Sequence, residues 1–330
     1  MATVLRPGWL ILFCLAGLTA CSPDAAAVAL KAPLTSLGNI QLPKETDVPS
    51  FDLLTMDPRS GRLYVPHRSV ATLEVVDVRA RTLAGRVPNL SGVKAIALSS
   101  DPNIVYTSMA TGIGIVDVAG LKLTKTLTVT GAPDAIEYDR VHDVILVGLS
   151  GATPQVAFID PKAQTVTGTM DLPGKPELMD VNETAGVVYL AINDKNSVVV
   201  IDPVSRSIVK TLKGCDIKSP TGIAYDPDQG LLFVASSPQL SIIDVVIEQC
   251  RGVTDIGKGT DQIAFNPHTH HVYTANGGTK DISVIDSHTL RPLGVAGTGR
   301  GAGTLAIDPT TDMVYVMAAR SGIVGVYHDP

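Results

Sequence analysis

Seven times along the chain a short pattern returns at nearly constant spacing, and that repetition limits the fold more than any single residue does. An Asp, Asn or Ser opens a tight turn, and seven positions later comes an aromatic residue, once replaced by Leu146. About a dozen residues further on, an aspartate ends a run of aliphatics. The second landmark falls at Tyr64, Tyr106, Leu146, Tyr189, Phe233, Tyr273 and Tyr315, always 40 to 44 residues after the one before. A period in the forties, built from short β-prone runs, implies one four-stranded blade per repeat. Seven copies predict an all-β fold: a single seven-bladed β-propeller with four antiparallel strands per blade.

One copy shows how the residues do this. Phe51 to Met56 reads as the inner strand, and Asp57-Pro58 then begins a type I turn, with Asp accepting backbone bonds and Pro pre-setting φ. Leu63-Tyr64-Val65 opens the second strand, Leu73 to Val76 the third and Thr82 to Val87 the fourth. The late aspartates (Asp77, Asp117, Asp160, Asp202, Asp244 and Asp286) recur in register, with His328 standing at that place in the seventh copy. A group that recurs in every repeat is structural, closing the third strand through a side-chain turn bond. The seventh copy has only three strands before the chain stops at Pro330. Asn39 to Pro43 is expected to supply the fourth, beside Val324 to Tyr327, closing the ring and removing its open edges.

The first residues read differently. Arg6 is followed by an apolar run, Trp9 to Ala20, too short to span a bilayer as a stable helix. The run ends in Leu18-Thr19-Ala20-Cys21, which resembles the lipobox of bacterial lipoproteins. That resemblance implies a signal peptide over residues 1–20, cleavage before Cys21 and acylation of Cys21. Residues 21–36 would form a lipidated tether and 37–330 the propeller. It implies a membrane-anchored protein of the bacterial cell envelope, and Ser22 after the cysteine favours the outer membrane facing the periplasm. Without residues 1–20 the chain holds 25 basic against 32 acidic residues. That balance argues against a nucleic-acid partner, which needs a concentrated basic face. Cys215 and Cys250 remain as a pair in an oxidising compartment, near the outer strands of adjacent blades. A disulfide is expected, the alternative being two buried free thiols.

The Asp-Pro turns together with Tyr64-Val65-Pro66-His67, Tyr273-Thr274-Ala275-Asn276 and Tyr315-Val316-Met317-Ala318 resemble the repeat of YVTN-type β-propellers, over about residues 39 to 329. A WD40 assignment is disfavoured because the only tryptophan, Trp9, precedes the repeats. Relatives of the YVTN type share no catalytic residue set, so the resemblance implies a fold and an envelope setting but no reaction.

Chemistry is therefore sought where seven loops meet, at the channel mouth. Five residues before each turn-opening residue stand Asp52, Lys94, Asp134, Glu177, Thr221, Asp261 and Gly303. Converging carboxylates raise one another's pKa or require a cation. Their hard oxygens suit calcium or magnesium, with Asp134, Glu177 and Asp261 as the metal ligands. The placement is similar to the divalent-metal site of gluconolactonase-like propellers, and by that resemblance implies a lactone-opening hydrolase. Arg300, in the glycine-rich run Gly297 to Gly303, joins Lys94 as a grip for an anionic ligand. No helix follows that run, so it is not a dinucleotide-binding loop. His268, His270 and His271 lie at a hairpin tip, a placement that fits a solvated turn better than a metal site.

Three functions remain open. The favoured one is a binding or scaffold module for a protein, glycan or small ligand. The others are a metal-dependent lactonase and a periplasmic accessory in cofactor handling or electron transfer.

Overall fold

The computed structural model describes residues 1–2 and 32–330, so the signal peptide and Cys21 fall outside the described residues. Among those described, seven four-stranded antiparallel sheets form a ring. Blade 1 runs from Thr55 to Val87, blade 2 from Ile96 to Leu127, blade 3 from Ala132 to Asp171 and blade 4 from Pro176 to Lys213. Blade 5 runs from Ile223 to Asp255, blade 6 from Thr260 to Gly297, and blade 7 from Thr304 to His328.

The landmarks explain the packing. Each lies in a different cluster of buried side chains between two neighbouring blades, from Tyr64 between blades 1 and 2 round to Tyr315 between blades 7 and 1. All seven are 0 to 3% exposed. One bulky residue at the same height on every second strand fills the wedge between twisted sheets. A hydroxyl is optional there, which is why Leu146 and Phe233 serve as well. Tyr106 uses its own, donating to the Pro161 carbonyl at 2.9 Å.

The late aspartates do what their position implies. Asp77 Oδ1 accepts from the backbone N–H groups of Arg79 and Ala80, both at 2.9 Å. Asp160, Asp202, Asp244 and Asp286 repeat the arrangement, and Asp117 accepts from Gly120.

Closure comes from the N-terminal side, as expected, but over a longer segment. Thr35–Gln41 pairs antiparallel with Ile323–His328, placing Asn39 opposite Gly325 and Ile40 opposite Val324. The strand starts four residues before Asn39, and packing starts earlier still. Ala32 and Leu34 are buried against the cluster between blades 6 and 7, and the Ala32 N–H bonds to Val295 O. The end of the segment read as tether is thus part of the core.

The inner strand of blade 1 is shorter than expected, only Thr55–Asp57. Residues before it turn to their neighbours instead: Leu53 N–H bonds to Lys94 O and Leu54 N–H to Gln262 Oε1.

Cys215 and Cys250 form a disulfide between blades 4 and 5, with Cα atoms 5.2 Å apart at a sequence separation of 35. Closing a loop of that length is worth roughly 3–4 kcal/mol in chain entropy. Cys215→Ser with Cys250→Ser is expected to lose most of that in a urea unfolding curve, and thiol titration of the wild-type residues 22–330 should find no free thiol before reduction. Phe233→Ala, which empties one wedge, should cost about 3–5 kcal/mol in the same assay.

Candidate functional site at the channel mouth

Every inner strand enters from one face of the ring, so a fixed offset before the turn places side chains at one rim. Asp52, Lys94, Asp134, Glu177 and Asp261 do converge there, lining a hollow of about 200 Å³. Its floor is Leu53, Ala135 and Leu178, and the same three residues border a larger cavity of about 530 Å³ deeper in the channel. Thr221 and Gly303 share the offset but brace backbone instead. Thr221 Oγ1 donates to Thr260 O at 3.0 Å, and Gly303 O accepts from Gln262 N–H at 3.1 Å.

The acids are largely neutralised by cations, two of which the sequence did not reveal. Arg68 Nη1 lies 3.0 Å from Asp52 Oδ2, Lys94 Nζ lies 3.1 Å from Asp134 Oδ2, and Lys175 pairs with Glu177. Asp261 makes no ion pair among the described residues. Four carboxylates thus face three cations. Among the described residues no group of three or more His, Cys, Asp or Glu side chains stands close enough to hold a metal ion. Of the three acids expected as calcium or magnesium ligands, Asp134 and Glu177 lie against Lys94 and Lys175, and Asp261 stands without a cation partner among the described residues.

Burial raises the pKa of Asp52 to about 7; Arg68 pulls the other way, while Asp261 and Asp134 push it further up. Asp261 is exposed at the rim, and its carboxyl is raised to about 6, by desolvation first and then by repulsion from Glu177 and Asp134.

Two further carboxyls lie deeper in the channel. Glu137 and Asp180 both line the larger cavity. Glu137 accepts only the Tyr138 N–H, at 3.1 Å, while Asp180 accepts from Val181 and Tyr225 N–H groups at 2.8 and 2.7 Å. Neither has a cationic partner among the described residues. Burial first, and then the charge of Asp180, lift Glu137 to about 8; burial lifts Asp180 to about 6. A sequence signal for them existed. Both stand two residues before the turn-opening Asp139 and Asn182, a second inner-strand offset that faces the channel.

The other candidates lie elsewhere. Arg300 is not in the acidic hollow but in an open one beside it, with Lys280 and Arg320. His268 pairs with Asp312 Oδ2 at 2.7 Å, His271 with Asp329 Oδ2 at 2.6 Å, and His270 stacks on His288. The three imidazoles serve three different partners on the opposite face, as a hairpin tip should.

No protein-family model matches the sequence, and no curated protein matches it. Among solved structures, the hydrazine synthase of Kuenenia stuttgartiensis contains a chain similar in fold, with a TM-score of 0.77 over 86% of this chain and 97% of that one. Sequence identity is 16%, so the likeness shows the seven-bladed fold alone.

A carboxyl whose folded pKa is raised binds more protons in the native state than in the unfolded one, so its contribution is greatest at low pH and is lost as pH rises through the folded value. Asp52, Asp180, Asp261 and Glu137 all act in this direction between about pH 4 and 8. Thermal stability is therefore expected to fall across that window. Glu137→Gln should flatten the upper part and raise Tm at pH 8 by several degrees, at about 2 °C per kcal/mol for a domain of this size. A Glu137→Gln curve parallel to wild type would refute the assignment.

Proposed function

We propose that this chain is a lipid-anchored binding module of the bacterial cell envelope, a divergent YVTN-type propeller that presents its channel mouth to a small polar ligand. The observation that carries this reading is the convergence of counter-charged side chains from five repeats onto one hollow with an apolar floor. Pre-paired charges on a rigid ring exchange partners with an incoming polar group and need little reorganisation, as recognition sites require. Anchoring rests on the lipobox at Leu18–Cys21. With three acyl chains implied there, attachment exceeds what stable anchoring requires.

The lactonase reading has one observation in its favour: Asp52, held near pH 7, would suit a general base. Among the described residues no three carboxylates stand close enough together to form a metal cage for it. Binding therefore ranks first.

Two experiments test the proposal. Cys21→Ser in the full-length chain should move the protein from the membrane to the soluble periplasmic fraction; membrane retention would remove the anchor. Residues 22–330, purified from a periplasm, should carry a small molecule in native mass spectrometry that Asp52→Asn with Asp134→Asn loses. A clean apo mass together with a calcium-induced rise in Tm that Asp134→Asn abolishes would move the weight to the hydrolase.

A further inference from the structure

Beside the acidic hollow, between blades 6 and 7, lies an open depression of about 500 Å³. Its rim bears Lys280, Arg300 and Arg320, and its floor is backbone, with Gly259, Gly277, Gly301 and Gly303 lining it. The three cations come from three separate connections. Lys280 follows the second strand of blade 6, Arg300 lies in the crossing from blade 6 to blade 7, and Arg320 sits in the 3-10 turn after the second strand of blade 7.

None of the three makes an ion pair or a side-chain hydrogen bond among the described residues. On the other side of the mouth the arrangement is reversed. Arg68, Lys94, Lys175 and Lys195 each lie against an acid from their own or a neighbouring loop. A chain with an excess of acids thus leaves three cations facing one hollow, with Asp261 the single acid on its lining.

The glycines let the loops close up beneath those cations. A Cβ at Gly277 would stand 3.3 Å from the Gly303 nitrogen and 3.5 Å from Gly259 O, so these three loops pack backbone to backbone. Gly301 and Gly259 take φ of +79° and +69°, in the left-handed region that favours glycine. The floor is shallow and carries no side chain that would hold a ligand away from it.

We infer that this depression is a binding site for a multiply charged anion, a phosphoryl or polycarboxylate group, gripped by Lys280, Arg300 and Arg320. Two guanidinium groups give the planar, forked donors that suit such oxygens, and the ammonium adds a point charge. The site goes beyond the mouth reading: it shares only Asp261 with the acidic hollow, and its test holds whether or not that hollow binds anything.

Residues 22–330 are titrated calorimetrically with inorganic phosphate and with citrate at low salt. One-to-one saturable binding of at least one probe is expected. Arg300→Gln with Arg320→Gln should weaken it tenfold or more, about 1.4 kcal/mol per tenfold. Asp261→Asn, which removes the like charge, should tighten it severalfold. Arg79→Gln with Lys162→Gln on the opposite face removes the same charge and should leave the affinity unchanged. Vesicles of phosphatidylglycerol distinguish a headgroup from a free anion: binding to vesicles that Arg300→Gln with Arg320→Gln abolishes would identify the anion as membrane-borne. No saturable binding of phosphate, citrate or vesicles would overturn the site. An equal loss in the opposite-face variant would do the same, since it reduces the effect to net charge. All four substituted cations are exposed, and circular dichroism checks that each variant is folded.

Discussion

The pairing of Thr35–Gln41 with Ile323–His328 is the constraint on which the rest depends. Six blades can stack on one another, but the seventh has only three strands of its own until a segment from the other end of the sequence completes it. That segment also brings Ile40 and Leu42 to the cluster between blades 7 and 1, and Ala32 and Leu34 to the one between blades 6 and 7. Ring closure therefore buries apolar surface on both flanks of the seam and pairs the edge that Ile323–His328 would otherwise expose. Gln262 then ties the seam at the level of the channel. Its Oε1 accepts from Leu54 and Leu305 N–H groups, and its Nε2 donates to Leu54 O, so one side chain joins blades 6, 7 and 1. Asp52 and Asp261 stand on either side of that tie. The geometry of the mouth is a consequence of closure, not of any local motif.

Electrostatics divides the closed mouth into two halves of opposite character. Around the small hollow, acids and cations alternate and pair, and the remaining carboxyl charge is moderated by protonation near neutral pH. Around the depression between blades 6 and 7, cations stand without acids. Charges held in fixed positions on a rigid ring and partly shielded from water interact more strongly than the same charges on a flexible surface. Keeping Glu137 and Asp180 unpaired within the channel lowers stability at neutral and alkaline pH. A fold with seven interdigitated clusters has the reserve to tolerate this.

How much of this was legible in the sequence follows from where the repeat is regular. Seven aromatic or aliphatic landmarks announced seven wedges, and Asp77 and its counterparts announced their turns, because blades of equal strand length place equivalent residues at equal heights. The same regularity made Asp52, Lys94, Asp134, Glu177 and Asp261 readable as one rim. It also places Glu137 and Asp180 two residues before their turns, on a second offset that faces the channel. Ala32 and Leu34 were not legible as core, since a short Ala- and Pro-rich stretch gives no periodicity from which to infer burial. The partners of the acids were hidden for a different reason. Arg68 emerges after a second strand and Lys175 precedes an inner strand, and neither belongs to a repeated offset.

Arg68, Lys280 and Arg320 share one property: all lie in connections between second and third strands. Those connections differ from blade to blade, with 3-10 turns after His67, Ile192 and Ala318, tighter turns in blades 2 and 5, and connections without a 3-10 turn in blades 3 and 6. Strand positions are held by packing on both sides, so substitutions there are filtered by the wedge they must fill. The connections answer to no such filter and rise over the same face as the channel mouth. Loops of this kind vary more freely than the packed elements they join. Specificity in this propeller should therefore be sought in the residues that break the repeat, and three cations without an acid partner among the described residues, gathered over one glycine-floored depression, are such a departure.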